Sequence, residues 1–390
     1  MKKIGIYACT TPFDGGAYQY TRTIINAAQR IARESVEYEF IVYSEERAWK
    51  KECIELNVPF EVLQFTIFKK IVCWIGQKIH NSYIRSKISE YADPLWSRYK
   101  KRQLDLMIIS GPVRAEKPNM AKIIMPIFDI MQRYIDFPEV GGGSIGKERD
   151  EKYIDICKKS DGVLVDSLLG KQQVLECYGN LIDGLASKIH VLPYIAPDYI
   201  YGKEQLIETF HRYILYPAQF WKHKNHIRLV QAVARLRDKG IKVNLVLTGT
   251  EKNNKKNVEG LIQELALGMQ IQILDYVTNE QLVYLYRHAR ALAMPTFAGP
   301  TNIPPLEALA LGCPMMLSNN FAMPEQVGDA ALYFNPESIE EIMDCMEKLW
   351  IDDELCAELI LHGAIQKRKW GLKQFQEKLK EIMDSIIFCS

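Results

Sequence analysis

The stretch ALAMPTFAGPTNIPPLEALALGCPMMLS, Ala291–Ser318, reads as a strand, a loop, a short helix and a second strand. Its outer runs, ALAM and MMLS, carry no charge and suit strands covered by helices on both faces. Pro304 and Pro305 stop the first strand from continuing and pre-set φ for an opening helical turn. Leu and Ala then carry the helix, and Gly312 is placed to close it in the left-handed region. One acid, Glu307, rides this helix just behind a loop that ends at its N-terminus.

The same alternation runs outward in both directions. Upstream, strands are read at KIGIYA, YEFIVYS, FEVLQF, LDLMIIS, KIIMPIF, DGVLVDS and KIHVLPY, then at RYILYPA, KVNLVLTG and IQILDYV. Downstream comes AALYFNP. Between them, HIRLVQAVARLRDKG, NEQLVYLYRHA and SIEEIMDCMEKLW repeat apolar residues at helical spacing. At 390 residues the chain is too long for one ordinary core. The pattern predicts an α/β protein of two doubly wound domains. Pro, Gly and polar residues cluster from Pro193 to Gln205, which sets the domains at 1–197 and 205–370. An amphipathic helix over 371–390 is expected to pack back on the first domain. Two such domains are expected to face one another across a central cleft lined by their strand ends.

Composition excludes several classes. Lys plus Arg number 49 and Asp plus Glu 48, so no global field favours nucleic acid. The 9 cysteines are scattered without a C-x-x-C pair, against a disulfide framework or a zinc site. MKKIGIYAC reads as a first strand, not a signal peptide, and no apolar run reaches the ~20 residues of a membrane span. The expected location is the cytoplasm. Residues 68–102 depart from this neutral background. Lys69, Lys70, Lys78, Arg85, Lys87, Arg98, Lys100, Lys101 and Arg102 meet few acids, with Phe68, Trp74, Tyr83, Trp96 and Tyr99 interleaved. That composition suits a peripheral contact with an anionic membrane on its inner face. It equally suits a solvated helix packing its aromatics inward.

Three loops have the residues for chemistry. Gly15 and Gly16 follow the first strand and open a helix, giving close backbone approach or simply a tight turn. Lys222, His223, Lys224 and His226 crowd a later strand exit, where a lysine reaches an anion as a compact charge. Solvated surface lysines are the plainer reading, and the histidines lack the H-E-x-x-H pattern of a metal site. The amides of Gly299 to Ile303, with the helix start behind them, form an anion seat. Glu307 would repel a phosphate but accepts hydrogen bonds from vicinal hydroxyls such as those of a ribose. A first-turn acid satisfying the helix dipole is the alternative. EVGGGSIGK, Glu139 to Lys147, contains G-x-G-x-x-G but follows a Pro-containing loop, so it fails the context of a dinucleotide fingerprint. It reads as a mobile loop or a flexible linker.

RYILYPAQFWKHKNHIRLVQAV, LVLTG, ILDYVTNEQLVYLYRHARALAMPT, PPLEALALGCP and MPEQVGDAALYFNPES together resemble the retaining nucleotide-sugar glycosyltransferases of GT-B fold, family 4. The resemblance implies two Rossmann-like domains, an acceptor-binding one followed by a donor-binding one. It implies a nucleotide diphosphate sugar as substrate, a glycan or lipid-linked glycan as acceptor, and no cofactor or metal. By position, Lys224 and Asp129 take the catalytic places. Lys222 and Lys224 meet the donor diphosphate, Thr301, Asn302 and Ile303 offer it donors, and Glu307 meets the ribose. Tyr276 and Val277 border the base, and Gly15 and Gly16 give phosphate or acceptor close access. The chain departs from the family twice: Gly299 stands where an acid is frequent, and Gln219 where an arginine precedes the donor lysine. The expected reaction is transfer of a hexose or deoxyhexose in surface polysaccharide assembly. A catalytically silent sugar-nucleotide binder or partner subunit, an epimerase and a phosphorylase remain as rivals.

Overall fold

The fold is that of a computed structural model in which residues 1–64, 66, 71–72, 82–113, 117–118 and 121–388 are described. The first sheet holds β1 (Lys2–Tyr7), β2 (Tyr38–Ser44), β3 (Phe60–Val62), β4 (Leu106–Ile109), β5 (Ile123–Pro126), β6 (Gly162–Val165) and β7 (Ile189–Val191). The second holds β8 (Ile214–Pro217), β9 (Leu245–Thr248), β10 (Ile271–Leu274), β11 (Ala291–Met294), β12 (Met315–Ser318) and β13 (Leu332–Phe334). Their orders are β3-β2-β1-β4-β5-β6-β7 and β10-β9-β8-β11-β12-β13. Every neighbouring pair is parallel. The two sheets are the doubly wound α/β pattern expected from the alternation of apolar runs. Both orders switch direction beside their first strand, and loops leaving strand ends there are where such sheets bind ligands. Those loops contain Gly15 and Gly16 after β1, Lys222–Lys224 after β8, and Gly299–Asn302 after β11.

Helical periodicity explains how the elements cover the second sheet. The helix His226–Asp238 buries Leu229, Val230, Val233 and Leu236, one face at three- to four-residue spacing. Each such side chain contributes about 1.5–3 kcal/mol when removed from water.

The chain divides into two compact units. One comprises Met1–Ile130, Lys147–Pro193 and Leu372–Ser390; the other comprises Met131–Gly146 and Tyr194–Gly371. The closing helix, Leu372–Phe388, therefore lies in the first unit, where it buries Phe375, Leu379, Ile382 and Met383. Residues 131–146, inside the 1–197 span read from the sequence, belong instead to the second unit. The reason is apolar: Met131 and Val140 bury with Ala298, and Ile135, Phe137 and Phe321 pack against them. The glycine run in this segment folds back on itself. A Cβ at Gly142 would lie 2.7 Å from the Pro138 Cα, so close backbone packing is what the glycines permit.

Of the basic and aromatic stretch, Phe68, Lys69, Lys70, Trp74 and Lys78 lie outside the described residues, as do the side chains of Tyr83 and Arg85. The remainder takes the form of a solvated helix face. Trp96 and Tyr99 are buried. Arg98 and Arg102 pair with Glu61, and Lys87 and Lys100 with Glu90. No helix of the described residues is long and apolar enough to cross a membrane.

Candidate functional site

The turn after β8 is held by its own backbone and by asparagine. Lys222–Lys224 forms a single 3-10 turn, and Asn225 follows with φ 60° in the left-handed region. Asparagine tolerates that conformation better than most residues. Its Nδ2 donates to the carbonyls of Pro295 at 2.9 Å and Pro336 at 2.8 Å, tying the turn to the loops after β11 and β13. The Tyr216 hydroxyl donates to the Lys224 carbonyl at 2.7 Å. His226, one residue further on, is fully buried between Phe220 and Tyr216, at ring distances of 4.6 and 4.7 Å. Burial pushes its pKa down to about 3. It is a neutral core histidine. Among the described residues no group of three His, Cys, Asp or Glu side chains comes together to hold a metal.

Lys224 reaches toward the loop after β11, its Nζ 3.4 Å from Asn302 Oδ1. Asn302 caps the helix Ile303–Leu311 without a side-chain bond to that helix. Gln326 fixes its backbone from both sides, accepting from the Asn302 N–H at 3.1 Å and donating to its carbonyl at 2.7 Å. That clamp changes the expected anion seat. The Asn302 N–H is already spent, and Pro304 and Pro305 have none to offer. The first turn is therefore poor in donors, and Lys224 brings a positive charge toward it.

Gly299 has φ 103°. A Cβ built there would lie 2.8 Å from Asn302 Nδ2 and 3.0 Å from Oδ1, so the Asn302 amide fills the space that a side chain at 299 needs. The two residues that depart from and flank the family's acidic position are thus one steric unit.

Glu307 is 3% exposed. The hydroxyls of Tyr199 and Tyr286 donate to its two oxygens, the latter at 2.6 Å. Burial raises its pKa, while the two tyrosine hydrogen bonds lower it; the net direction is upward. The carboxyl sits one turn inside the helix start, behind the loop rather than on its surface.

A residue that the sequence reading left out lies beside the lysine turn. Glu139, in the 131–146 segment, accepts from the His223 N–H at 3.0 Å and lies 2.9 Å from His223 Nδ1. Its other oxygen accepts from Asn253 Nδ2 at 2.9 Å. Burial pushes its pKa up, but the His223 amide, Asn253 and the His223 ring outweigh that and bring it to about 2. Phe137 stacks on Phe297 at 5.5 Å alongside. Nothing local in the sequence marks Glu139, because its partners lie 84 and 114 residues away.

The other expected residues are spread around these loops. Gln219 is committed to its own turn, its Oε1 accepting from Trp221 Nε1 at 2.9 Å. Lys222 is exposed, and its N–H donates to Asn253 Oδ1 at 3.1 Å. Thr301 and Ile303 flank Asn302, both half-buried. Tyr276 is 78% exposed after β10, and Val277 packs on the core. In the first unit, Gly15 and Gly16 are exposed at the start of the helix Gly16–Glu34. Asp129 there pairs with Arg149, 2.6 Å from its Nη2. Lys224, Gly299 and Asn302 are brought together; Glu307 lies deeper.

Residues 202–364 match the family model described as glycosyl transferases group 1. This region belongs to that family. The matched region covers β8 to β13 with Lys222–Lys224, Gly299–Asn302 and Glu307. Over 160 residues, the chain is 33% identical to O-antigen chain mannosyltransferase B of Escherichia coli, covering 41% of this chain. The chain spans 42% of that relative's length. Among solved structures, a glycosyltransferase from Rickettsia africae superposes with TM-score 0.72 at 17% identity, over 100% of this chain and 99% of the other. Anabaena Alr3699/HepE, solved with UDP and glucose, gives TM-score 0.70 at 14% identity, over 99% and 100%. The structural likenesses establish the fold as GT-B, two Rossmann-like α/β units.

Proposed function

We propose that the protein is a retaining, metal-independent glycosyltransferase that moves a hexose from a nucleoside diphosphate donor to a glycan or lipid-linked glycan. The observation that carries this reading is the approach of Lys224 to Asn302 across the switch point of the second sheet. An ammonium facing a helix start is suited to the charge that builds on a departing diphosphate. The relative's name, an O-antigen chain mannosyltransferase, favours mannose and surface polysaccharide assembly.

In the proposed reaction the acceptor oxygen bonds to the anomeric carbon as its bond to the phosphate oxygen breaks. The acceptor proton passes to that phosphate oxygen, on the same face, so configuration is retained. Lys224 balances the leaving charge, and Asn302, standing in the volume of the absent acid, meets the sugar. Glu307 holds the ribose when the Tyr199 hydroxyl gives up its oxygen, with Tyr286 keeping the other. Asp129 and the Gly15–Gly16 turn serve the acceptor side. The protein acts at the cytoplasmic face of a membrane when its acceptor is lipid-linked.

The test is turnover with UDP-, GDP-, dTDP- and ADP-hexoses, reading release of the nucleoside diphosphate. Lys224→Ala is expected to lower turnover roughly 10²- to 10³-fold, the loss seen when one charge-stabilising donor is removed. Release from no donor, or full turnover in Lys224→Ala, would contradict the proposal. Donor binding without release would favour the silent binder, which the absent acid at Gly299 and the committed Gln219 allow.

A further inference from the structure

A cavity of about 740 Å³ opens within the second unit beside the lysine turn. Its size is that of a small-molecule site. It lies where the loops after β12 and β13 meet the start of the helix His226–Asp238 and residues 135–137. It shares the lysine turn and the loop after β11 with the proposed nucleotide site, but of the residues proposed to meet the nucleotide only Lys222 lines it.

Three features of the lining point to one ligand chemistry. The first is charge. Lys222 and Arg228 are matched by Asp136 and Glu337, so the walls carry no net charge to recruit a phosphate. The second is amides. Five asparagines line it: Asn225, Asn254, Asn319, Asn320 and Asn335. Asn225 is spent on backbone carbonyls, but the side-chain amides of Asn319 and Asn320 make no hydrogen bond among the described residues. Each amide offers two N–H donors and an acceptor oxygen, the complement of a row of hydroxyls. The third is aromatic surface. Phe137, Phe297 and Phe321 line the cavity, each half-buried. Phe321 closes the wall in a left-handed conformation with φ 53°. Such strain in a bulky residue concentrates at binding sites.

We infer that this cavity binds a neutral saccharide, its hydroxyls on the Asn319 and Asn320 amides and its C–H face on the phenylalanines. The inference deepens the proposed function, since the ligand class is that of the acceptor glycan. It adds a glycan subsite on the donor-side unit, built partly from the 131–146 segment. With Lys222 at its edge, a saccharide held there lies beside the turn assigned to the donor.

The test is saturation-transfer NMR with a soluble manno-tetraose, alone and in competition with inorganic pyrophosphate. The samples are full-length wild type, Asn319→Ala/Asn320→Ala, and Asn319→Asp/Asn320→Asp, the last keeping side-chain shape. The tetrasaccharide is expected to bind wild type and to weaken at least tenfold in both variants. The thermal shift given by nucleoside diphosphates should stay unchanged in all three. Absence of saccharide binding to wild type that still responds to a nucleoside diphosphate overturns this inference and leaves the transferase reading standing. Equal saccharide binding in wild type and variants, or displacement of the saccharide by pyrophosphate, also overturns it.

Discussion

Replacing Glu139 by glutamine removes a charge while keeping the side chain's shape and one acceptor oxygen. In the folded protein its carboxyl titrates at about 2, against an ordinary value of 4.5. A depressed carboxyl stabilises the fold above its unfolded value, and that contribution disappears as pH falls through the folded value. At about 1.36 kcal/mol per pH unit, the interval caps the contribution at about 3.4 kcal/mol. Contact with solvent screens part of it, and a hydrogen bond to a charged group contributes about 1.5–3 kcal/mol, so about 1–2 kcal/mol is expected. Urea unfolding of both proteins, followed by tryptophan fluorescence, measures the difference. Trp221 reports locally, its ring 6.4 Å from His223. Wild type should exceed Glu139→Gln by that amount near neutral pH, and the gap should close as pH falls below about 4.5. A gap of equal size in acid and at neutrality, or no gap anywhere, would refute the assignment of Glu139 as the anchor of the lysine turn.

Gly299→Ala should destabilise the protein by about 1–3 kcal/mol, because the new Cβ meets both a positive φ and the Asn302 amide. Asn302→Gly should restore part of that loss in the double variant, leaving a measurable coupling energy by denaturation; additive losses would show that the two residues do not share the space. For Glu307, whose pKa is raised in the fold, stability should fall as pH rises from the ordinary carboxyl value through the raised one. Glu307→Gln should flatten that slope, and an unchanged slope would place the titration elsewhere. Tyr286→Phe should cost about 1–2 kcal/mol through loss of its hydrogen bond to the buried acid, read as a lowered urea midpoint.

Much of the architecture was legible because parallel strands buried on both faces advertise themselves as short apolar runs. The prolines and Gly312 around the helix Ile303–Leu311 gave its start and its left-handed close directly. What escaped was contact between distant residues without local periodicity. Gln326 clamps Asn302 from 24 residues away, and Tyr199 caps Glu307 from 108. Glu139 is a single acid in a loop, with no spacing to tie it to His223. Residues 131–146 follow β5 in sequence, so only their burial against Ala298 and Phe321 shows that they pack in the other unit. Part of the charge of the basic stretch is balanced for a similar reason. Glu61, which pairs with Arg98 and Arg102, lies just outside the window in which the charges were counted.

The proposed function requires a nucleoside diphosphate seated between Lys224 and the start of the helix Ile303–Leu311. Isothermal titration of GDP and UDP into wild type and Lys224→Ala tests this most directly. One nucleotide should bind wild type and lose at least tenfold in affinity, about 1.4 kcal/mol, in the variant. Equal affinity in the two proteins, or binding of neither nucleotide to wild type, would contradict it.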